Sequence, residues 1–271
     1  MPIGTSARFL LTTTLLLGAG LAIFHAPALA DRKYFTRVYT PYLAPAGTLE
    51  LETWLTSKAG KEDPTEHVTW EQRIEFEYGL TERLTTAAYL NYSQPSGEAL
   101  HFDAPSIELI YRLADHGRIP GDPALYLETK ETGEELELEP KILLGHRVDK
   151  LVLALNLVGE LEYRHNDEEL LPGGAVMRKK FVAQVVGGAS YEFSPAVSLG
   201  FETLYEAEYP NFGARTASVF SAGPVINLQS RKVQVALGVL PQISGSPRTS
   251  GNLNLDDFER MQIRAIIGIE L

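Results

Sequence analysis

From residue 47 onward, apolar and polar side chains take turns along the chain. In residues 67–79, Val68, Trp70, Ile74, Phe76 and Tyr78 hold even positions, interrupted by Gln72, while Thr69, Glu71, Arg73, Glu75 and Glu77 hold odd ones. A period of two with one apolar and one charged face marks a strand that divides two environments. Residues 151–164 repeat the pattern, with Leu151, Leu153, Leu155, Leu157, Leu161 and Tyr163 opposing Asn156, Glu160, Glu162 and Arg164. In residues 197–209, Val197, Leu199, Phe201, Tyr205 and Tyr209 oppose Ser198, Glu202, Glu206 and Glu208.

Read in this way, the chain predicts twelve strands, near 47–57, 66–79, 83–93, 104–114, 122–130, 136–147, 150–164, 178–193, 196–209, 216–228, 232–244 and 257–271. The faces of 122–130 and 216–228 are ambiguous. Pro140, Pro224 and Pro241 fall inside runs. Proline cannot donate to a ladder, so bulges are expected there. The connections alternate between tight turns (79–83, 148–150, 194–196, 229–231) and longer polar loops (59–65, 94–103, 165–177, 210–215, 245–256). Two connections break the rule, a longer one at 115–121 on the turn side and a short one at 131–135 on the loop side.

Short turns at one end, long loops at the other and an even strand count describe an all-β fold: a single antiparallel transmembrane up-and-down β-barrel of about twelve strands. Strands of about 9–11 residues suffice to cross a bilayer when tilted. The last strand must then pair with the first, because an open edge in hydrocarbon leaves unsatisfied backbone groups. A soluble β-sandwich also alternates, so aromatic placement matters. Trp70 and Tyr78 share the apolar face eight residues apart, a separation of ~20 Å along the membrane normal against the ~25 Å between aromatic girdles. Tyr92, Tyr163, Phe181 and Tyr209 fall near loop ends of strands, and Tyr191 and Phe193 near a turn end.

The start of the chain reads as an address. Arg8 precedes an apolar run from Phe9 to Phe24, broken by Thr12, Thr13 and Thr14, and Ala28-Leu29-Ala30 supplies a small-x-small site. This layout predicts a secretory leader over residues 1–30, cleaved before Asp31. Residues 31–46 form a Tyr- and Phe-rich segment before the barrel at 47–271. Its place is in the periplasm, in the lumen as a plug, or on a partner. Without the leader, 23 Lys and Arg face 35 Asp and Glu over 241 residues, which excludes a general nucleic-acid binder. The chain has no cysteine, so disulfides, thiolate catalysis and Cys-based metal sites are excluded.

Two stretches carry a family resemblance. They are Leu43-Ala44-Pro45-Ala46-Gly47-Thr48-Leu49-Glu50-Leu51-Glu52-Thr53-Trp54 and Ile74-Glu75-Phe76-Glu77-Tyr78-Gly79-Leu80-Thr81-Glu82-Arg83-Leu84. The chain resembles an uncharacterised, domain-of-unknown-function family of Gram-negative outer-membrane barrels. More distantly, it is similar to the transporter-like barrels named after the meta-pathway of phenol degradation. The resemblance implies a barrel in the cell outer membrane and solute passage, and it carries over no site residues.

Parity assigns sixteen Glu to the lumen, against the bases Arg73, Arg112, Lys130, Lys141, Arg147, Arg164, Lys180, Arg260 and Arg264. The charge segregation suits a barrel, since a lipid-facing Lys or Arg costs ~2–4 kcal/mol at mid-bilayer. The lumen-lining candidates are Glu71, Arg73, Glu75, Glu77, Glu108, Arg112, Glu160, Glu162, Arg164, Glu202, Glu206, Glu208 and Arg264. Glu71, Glu75 and Glu77 should face Glu202, Glu206 and Glu208 from opposite walls. Such carboxylates raise local cation concentration. The expected function is a channel or transporter for small solutes with a weakly cation-preferring lumen. The alternatives are a structural barrel closed by a Glu/Arg network, and an outer-membrane lipid-modifying enzyme. No catalytic residue, metal ligand or cofactor is expected. Scattered histidines (His67, His101, His116, His146, His165) show no metal spacing, and Ser190 has no His close in sequence. Expected partners are membrane lipid, lipopolysaccharide, small solutes and the barrel-assembly machinery. The loop acids Asp167, Glu168 and Glu169 near Arg178-Lys179-Lys180 are candidates for engaging divalent-bridged lipopolysaccharide.

Overall fold

A computed structural model of the chain describes residues 32–63, 67–165, 169–170 and 176–271. The leader expected over residues 1–30, and the loop acids Asp167 and Glu168, lie outside the described residues. Twelve strands form one closed antiparallel barrel in which every strand pairs with its neighbours in sequence. They are β1 (Leu49–Ala59), β2 (Val68–Thr81), β3 (Leu84–Gln94), β4 (His101–Arg112), β5 (Ala124–Glu131), β6 (Glu135–Val148), β7 (Leu151–Arg164), β8 (Lys179–Ser194), β9 (Val197–Pro210), β10 (Ala217–Gln229), β11 (Val233–Ser246) and β12 (Met261–Glu270). A two-residue ladder, Glu169–Leu170 against Val176–Met177, stands in the loop after β7. Closure pairs Glu50 with Glu270 through to Ala59 with Met261, so this pair of strands leaves no open edge.

The outer surface is apolar. Ile107 is 56% exposed and Phe201 50%, and Trp70 and Tyr78 stand outward on β2 at 43% and 40%. Aromatic pairs rim both ends. Tyr92–Phe102, Tyr163–Phe212 and Phe181–Tyr209 meet near the loops, and Tyr191–Phe193 near the turns. Amphipathic rings suit the interface, where one side is apolar and the other wet. The two ambiguous strands resolve. Ala124, Tyr126 and Glu128 of β5 point inward, as do Val219, Ser221, Val225 and Asn227 of β10.

The proline expectation needs correction. At Pro140 the β6–β7 register is the same on both sides, and only the pairings of Glu139 and Pro140 with β7 lapse. The missing N–H removes a bond without inserting a residue. Pro224 and Pro241 do lie in one interrupted stretch between β10 and β11. The register shift there falls at Phe220/Ser221 rather than at either proline.

The last strand is also shorter than the expected 257–271. It begins at Met261, because the preceding residues turn into the lumen. Gln242 acts as a surrogate peptide for this loop: its Oε1 accepts from Asn254 N (2.8 Å) and its Nε2 donates to Asn254 O (3.1 Å). Leu255 and Phe258 are thereby buried, Phe258 against Ala217 and Val219. Arg260, expected inside the lumen, precedes β12 and is exposed.

Candidate functional site

Residues 32–46 occupy the turn-end half of the lumen. They enter beside β8 and β10, where Arg32 Nε donates to Asn227 Oδ1 (2.7 Å) and Arg32 Nη1 to Pro195 O (3.3 Å). They climb to Thr36–Tyr39 near mid-lumen. They return to the turn end, where Gly47 N donates to Gly79 O (2.8 Å) and the chain enters β1. The segment is a U with both arms at one end of the barrel.

Its attachments are polar at the bend and apolar along the arms. Glu202 is 1% exposed. Its Oε1 accepts the backbone N–H groups of Thr36 (2.9 Å), Arg37 (2.6 Å) and Val38 (3.1 Å), and its Oε2 accepts Thr36 Oγ1–H (2.7 Å). Three successive amides would otherwise be unpaired, since the segment makes no ladder. Asn156 treats Tyr39 as a neighbouring strand would: Tyr39 N donates to its Oδ1 (2.7 Å), and its Nδ2 donates to Tyr39 O (2.8 Å). Glu192 accepts from Arg32 (3.1 Å), from the Tyr34 hydroxyl (2.6 Å) and from Arg147. Burial, and next the hydrogen bond to Glu192, push the Tyr34 phenol up to about 12. Phe35 and Val38 pack with Val152, Val186, Leu204, Val225 and Leu240. The ring of Phe35 lies directly over Gly188, where a Cβ would stand 2.5 Å from Phe35 Cε1.

Above the bend opens a vestibule of about 520 Å³, lined by eight acidic and seven basic side chains. Seven sequence candidates line it: Glu71, Arg73, Glu160, Glu162, Glu206, Glu208 and Arg264. Lys58 Nζ bridges to Glu71 (2.5 Å), and Lys180 Nζ bridges to Glu162 (2.8 Å) and Glu208 (3.7 Å). Arg73 pairs with Glu128 and donates through Nε to Asn91 (2.8 Å). Arg264 reaches Thr56 Oγ1 (2.8 Å) and the carbonyl of Thr36 (3.2 Å), so it touches the bend itself. The loop before β12 contributes Asp257, Phe258 and Glu259 to the rim.

The other six candidates are elsewhere. Glu75, Glu77, Glu108 and Glu202 point inward but are buried beneath the vestibule at 1–2% exposure. Arg112 sits at the turn-end mouth, against His116 (2.5 Å) and Glu82 O (2.7 Å). Arg164 lies at the loop-end mouth, 3.8 Å from Glu135. The acid surplus is therefore deep rather than in the open vestibule, where the charges nearly balance. Sequence reasoning missed Lys58, though it shares parity with Glu50 and Glu52. It also missed Trp54 and Asn156, which carry no charge to mark them, and the segment's own bases, Arg32, Lys33 and Arg37.

A Ser-His-Asp cluster does occur at the loop end. Asp103 Oδ1 meets both Ser93 Oγ (2.7 Å) and His101 Nε2 (3.1 Å), and Ser93 Oγ lies 3.0 Å from the same Nε2. A nucleophilic relay needs the acid on the opposite imidazole nitrogen, and this arrangement lacks that order.

A closed twelve-stranded barrel with an apolar exterior, a charged interior and one end of its lumen filled is the architecture of outer-membrane β-barrels. Among solved structures, the COG4313 outer-membrane channel of Pseudomonas putida F1 superposes with a TM-score of 0.56 at 13% identity, covering 88% of this chain and 100% of that one. The NanC porin gives 0.55 at 10% identity over 82% and 100%. The KdgM porin in complex with disordered oligogalacturonate gives 0.52 at 7% identity over 83% and 99%. The chain belongs to the family of unknown function DUF6662, whose model matches residues 27–170 and 149–271. No curated protein sequence matches it.

Proposed function

We propose that this protein is an outer-membrane channel for small charged solutes. Residues 32–46 hold it shut at the turn end, and it becomes weakly cation-preferring when they leave. The leader delivers the chain across the inner membrane, and the assembly machinery inserts it among lipid and lipopolysaccharide. The observation that carries the reading is the pairing of an open vestibule of about 520 Å³ with a plug that makes no strand ladder and is held by side chains of the wall. Two of its bases, Arg32 and Lys33, pair with Glu192, Glu52 and Glu77 of the wall, and its amides at residues 36–38 occupy Glu202. Removing them uncovers Glu52, Glu77, Glu192 and Glu202 together. Facing carboxylates in a confined lumen focus negative potential and favour cations. That three barrels of like fold are described as a channel and porins supports the reading.

The test is planar-bilayer conductance with reversal potential in a salt gradient, for the intact protein and for a variant lacking residues 33–44. The variant should conduct more and prefer cations, with the preference falling at high salt as the field is screened. An unchanged current after deletion, or anion selectivity, would overturn the proposal. The closed structural barrel is the second reading. It is favoured by the apolar packing of Phe35 and Val38, and it predicts no conductance from either protein.

A further inference from the structure

Most charges around the vestibule are already matched. Lys58 is bridged to Glu71, Lys180 to Glu162 and Glu208, and Lys141 Nζ to Glu139 (2.5 Å). Arg73 pairs with Glu128. Asp257 and Glu259 accept from the amides of Asn254 (2.6 Å) and Gln262. Arg37, Arg264, Glu160 and Glu206 line the same space, and none of the four forms an ion pair among the described residues.

These four are sorted by sign. Arg264 stands on β12, and its acceptors, Thr56 Oγ1 and Thr36 O, are both neutral. Arg37 follows Thr36 in the bend, and its Nη2 is buried without an acceptor. Arg37 and Arg73 lie close enough to repel Arg264. Half-buried guanidinium groups gathered without a carboxylate of their own need an anion. Glu160 on β7 and Glu206 on β9 stand five and three strands from β12 in the closed ring. Neither accepts a hydrogen bond among the described residues. Glu139, Glu137, Glu162 and Glu206 all repel Glu160, so this wall needs a cation. The field of Arg37 reaches Glu206, yet no contact bridges the space between them.

We propose that the vestibule binds a short zwitterionic peptide, with its carboxylate on Arg37 and Arg264 and its ammonium on Glu160, Glu206 beside it. A guanidinium fork matches a carboxylate, and the three donors of an ammonium suit several acceptors at once. A single amino acid holds its two charges on one carbon, too close together for separate walls. A dianion would meet the carboxylates and a dication the arginines, so each is rejected by one end. The volume of about 520 Å³ falls within the ~300–1,000 Å³ of small-molecule sites. Val182, Leu204 and Val219 add apolar lining for small side chains. The inference names the solute class of the channel reading, and it rests on that reading for passage, though not for binding.

Calorimetric titration of the full protein in detergent, at neutral pH and low salt, tests this with trialanine as the probe. One saturable site is expected. N-acetyltrialanine lacks the ammonium and trialanine amide lacks the carboxylate. Each should bind more weakly by roughly tenfold or more, the loss of one charge-assisted contact. Glu160→Gln should weaken trialanine by a similar factor and leave N-acetyltrialanine unaffected. Arg264→Gln should do the converse, weakening trialanine and leaving the amide unaffected. Arg37→Met alters a segment that joins no strand ladder, so it keeps the test decisive if the strand variants fail to fold. It too should weaken trialanine by roughly tenfold. No saturable binding of trialanine, equal binding of either blocked peptide, or indifference to Arg37→Met would overturn the proposal. If trialanine fails to bind while the variant lacking residues 33–44 conducts, the peptide is lost and the channel is kept. If trialanine binds while neither protein conducts, the channel is lost and the site is kept.

Discussion

Glu202 concentrates the attachment of the plug in one side chain. Replacing it with alanine leaves the amides of Thr36, Arg37 and Val38 buried without acceptors, at a cost of about 1–3 kcal/mol each. A loss of only ~3 kcal/mol multiplies the undocked population by roughly 100-fold. Glu202→Ala should therefore raise single-channel open probability while the barrel still folds. Gly188→Val reaches the same end by steric means, since even a Cβ would lie 2.5 Å from Phe35 Cε1. Its effect on open probability should match in direction and leave charge selectivity unchanged. Tyr34 gives a pH signature. Its phenol is raised from 10.0 to about 12 by burial and by Glu192, so the neutral form favours docking. That contribution is complete below pH ~10 and fades as pH rises through the docked value. An ultraviolet titration of the intact protein minus that of Tyr34→Phe should show one phenol ionising near pH 12. A difference curve centred near pH 10 would mean that Tyr34 is solvated.

Strand β7 sets lipid and plug on adjacent residues. Leu155 is exposed to the outside at 38%, and Asn156 is 1% exposed and bonded to Tyr39. Leu155→Arg should block assembly, as a mid-bilayer arginine costs ~2–4 kcal/mol. Asn156→Arg should assemble, seen as a heat-dependent shift in gel mobility, yet unseat the bend and increase conductance. Equal assembly failure of both would undo the assignment of faces. That the faces were legible at all follows from the strict period of two. Each strand needs only its parity, and lipid punishes error on one side. Strand ends and the loop before β12 were less legible. Phe258 falls in the predicted strand 257–271, yet the loop before it is held inward by Gln242 on Asn254 and by Thr249 Oγ1 accepting from Leu255 N, contacts that no periodicity announces.

For the whole molecule, parity placed charges inside the barrel but not at a depth. Glu75 and Glu206 look alike in sequence, yet one is sealed beneath Lys33 and Tyr89 and the other lines open space. The difference comes from residues 32–46. Their aromatic and basic composition was visible, and their destination was not, because no periodicity links them to the wall they fill. The sequence could therefore suggest an acidic lumen, but not that its open part is nearly neutral.

The plug is joined to β1 through Gly47 and Thr48, with both arms at the turn end. Redocking is thus an event within one chain. A short tether holds its cargo at an effective concentration in the millimolar range, so contacts of modest strength suffice to keep the lumen filled. A detached peptide of residues 32–46, added to the barrel lacking residues 33–44, enjoys no such advantage. It should restore the block only near millimolar concentration, from the turn side alone, and in a graded, dose-dependent way that the tethered segment never shows.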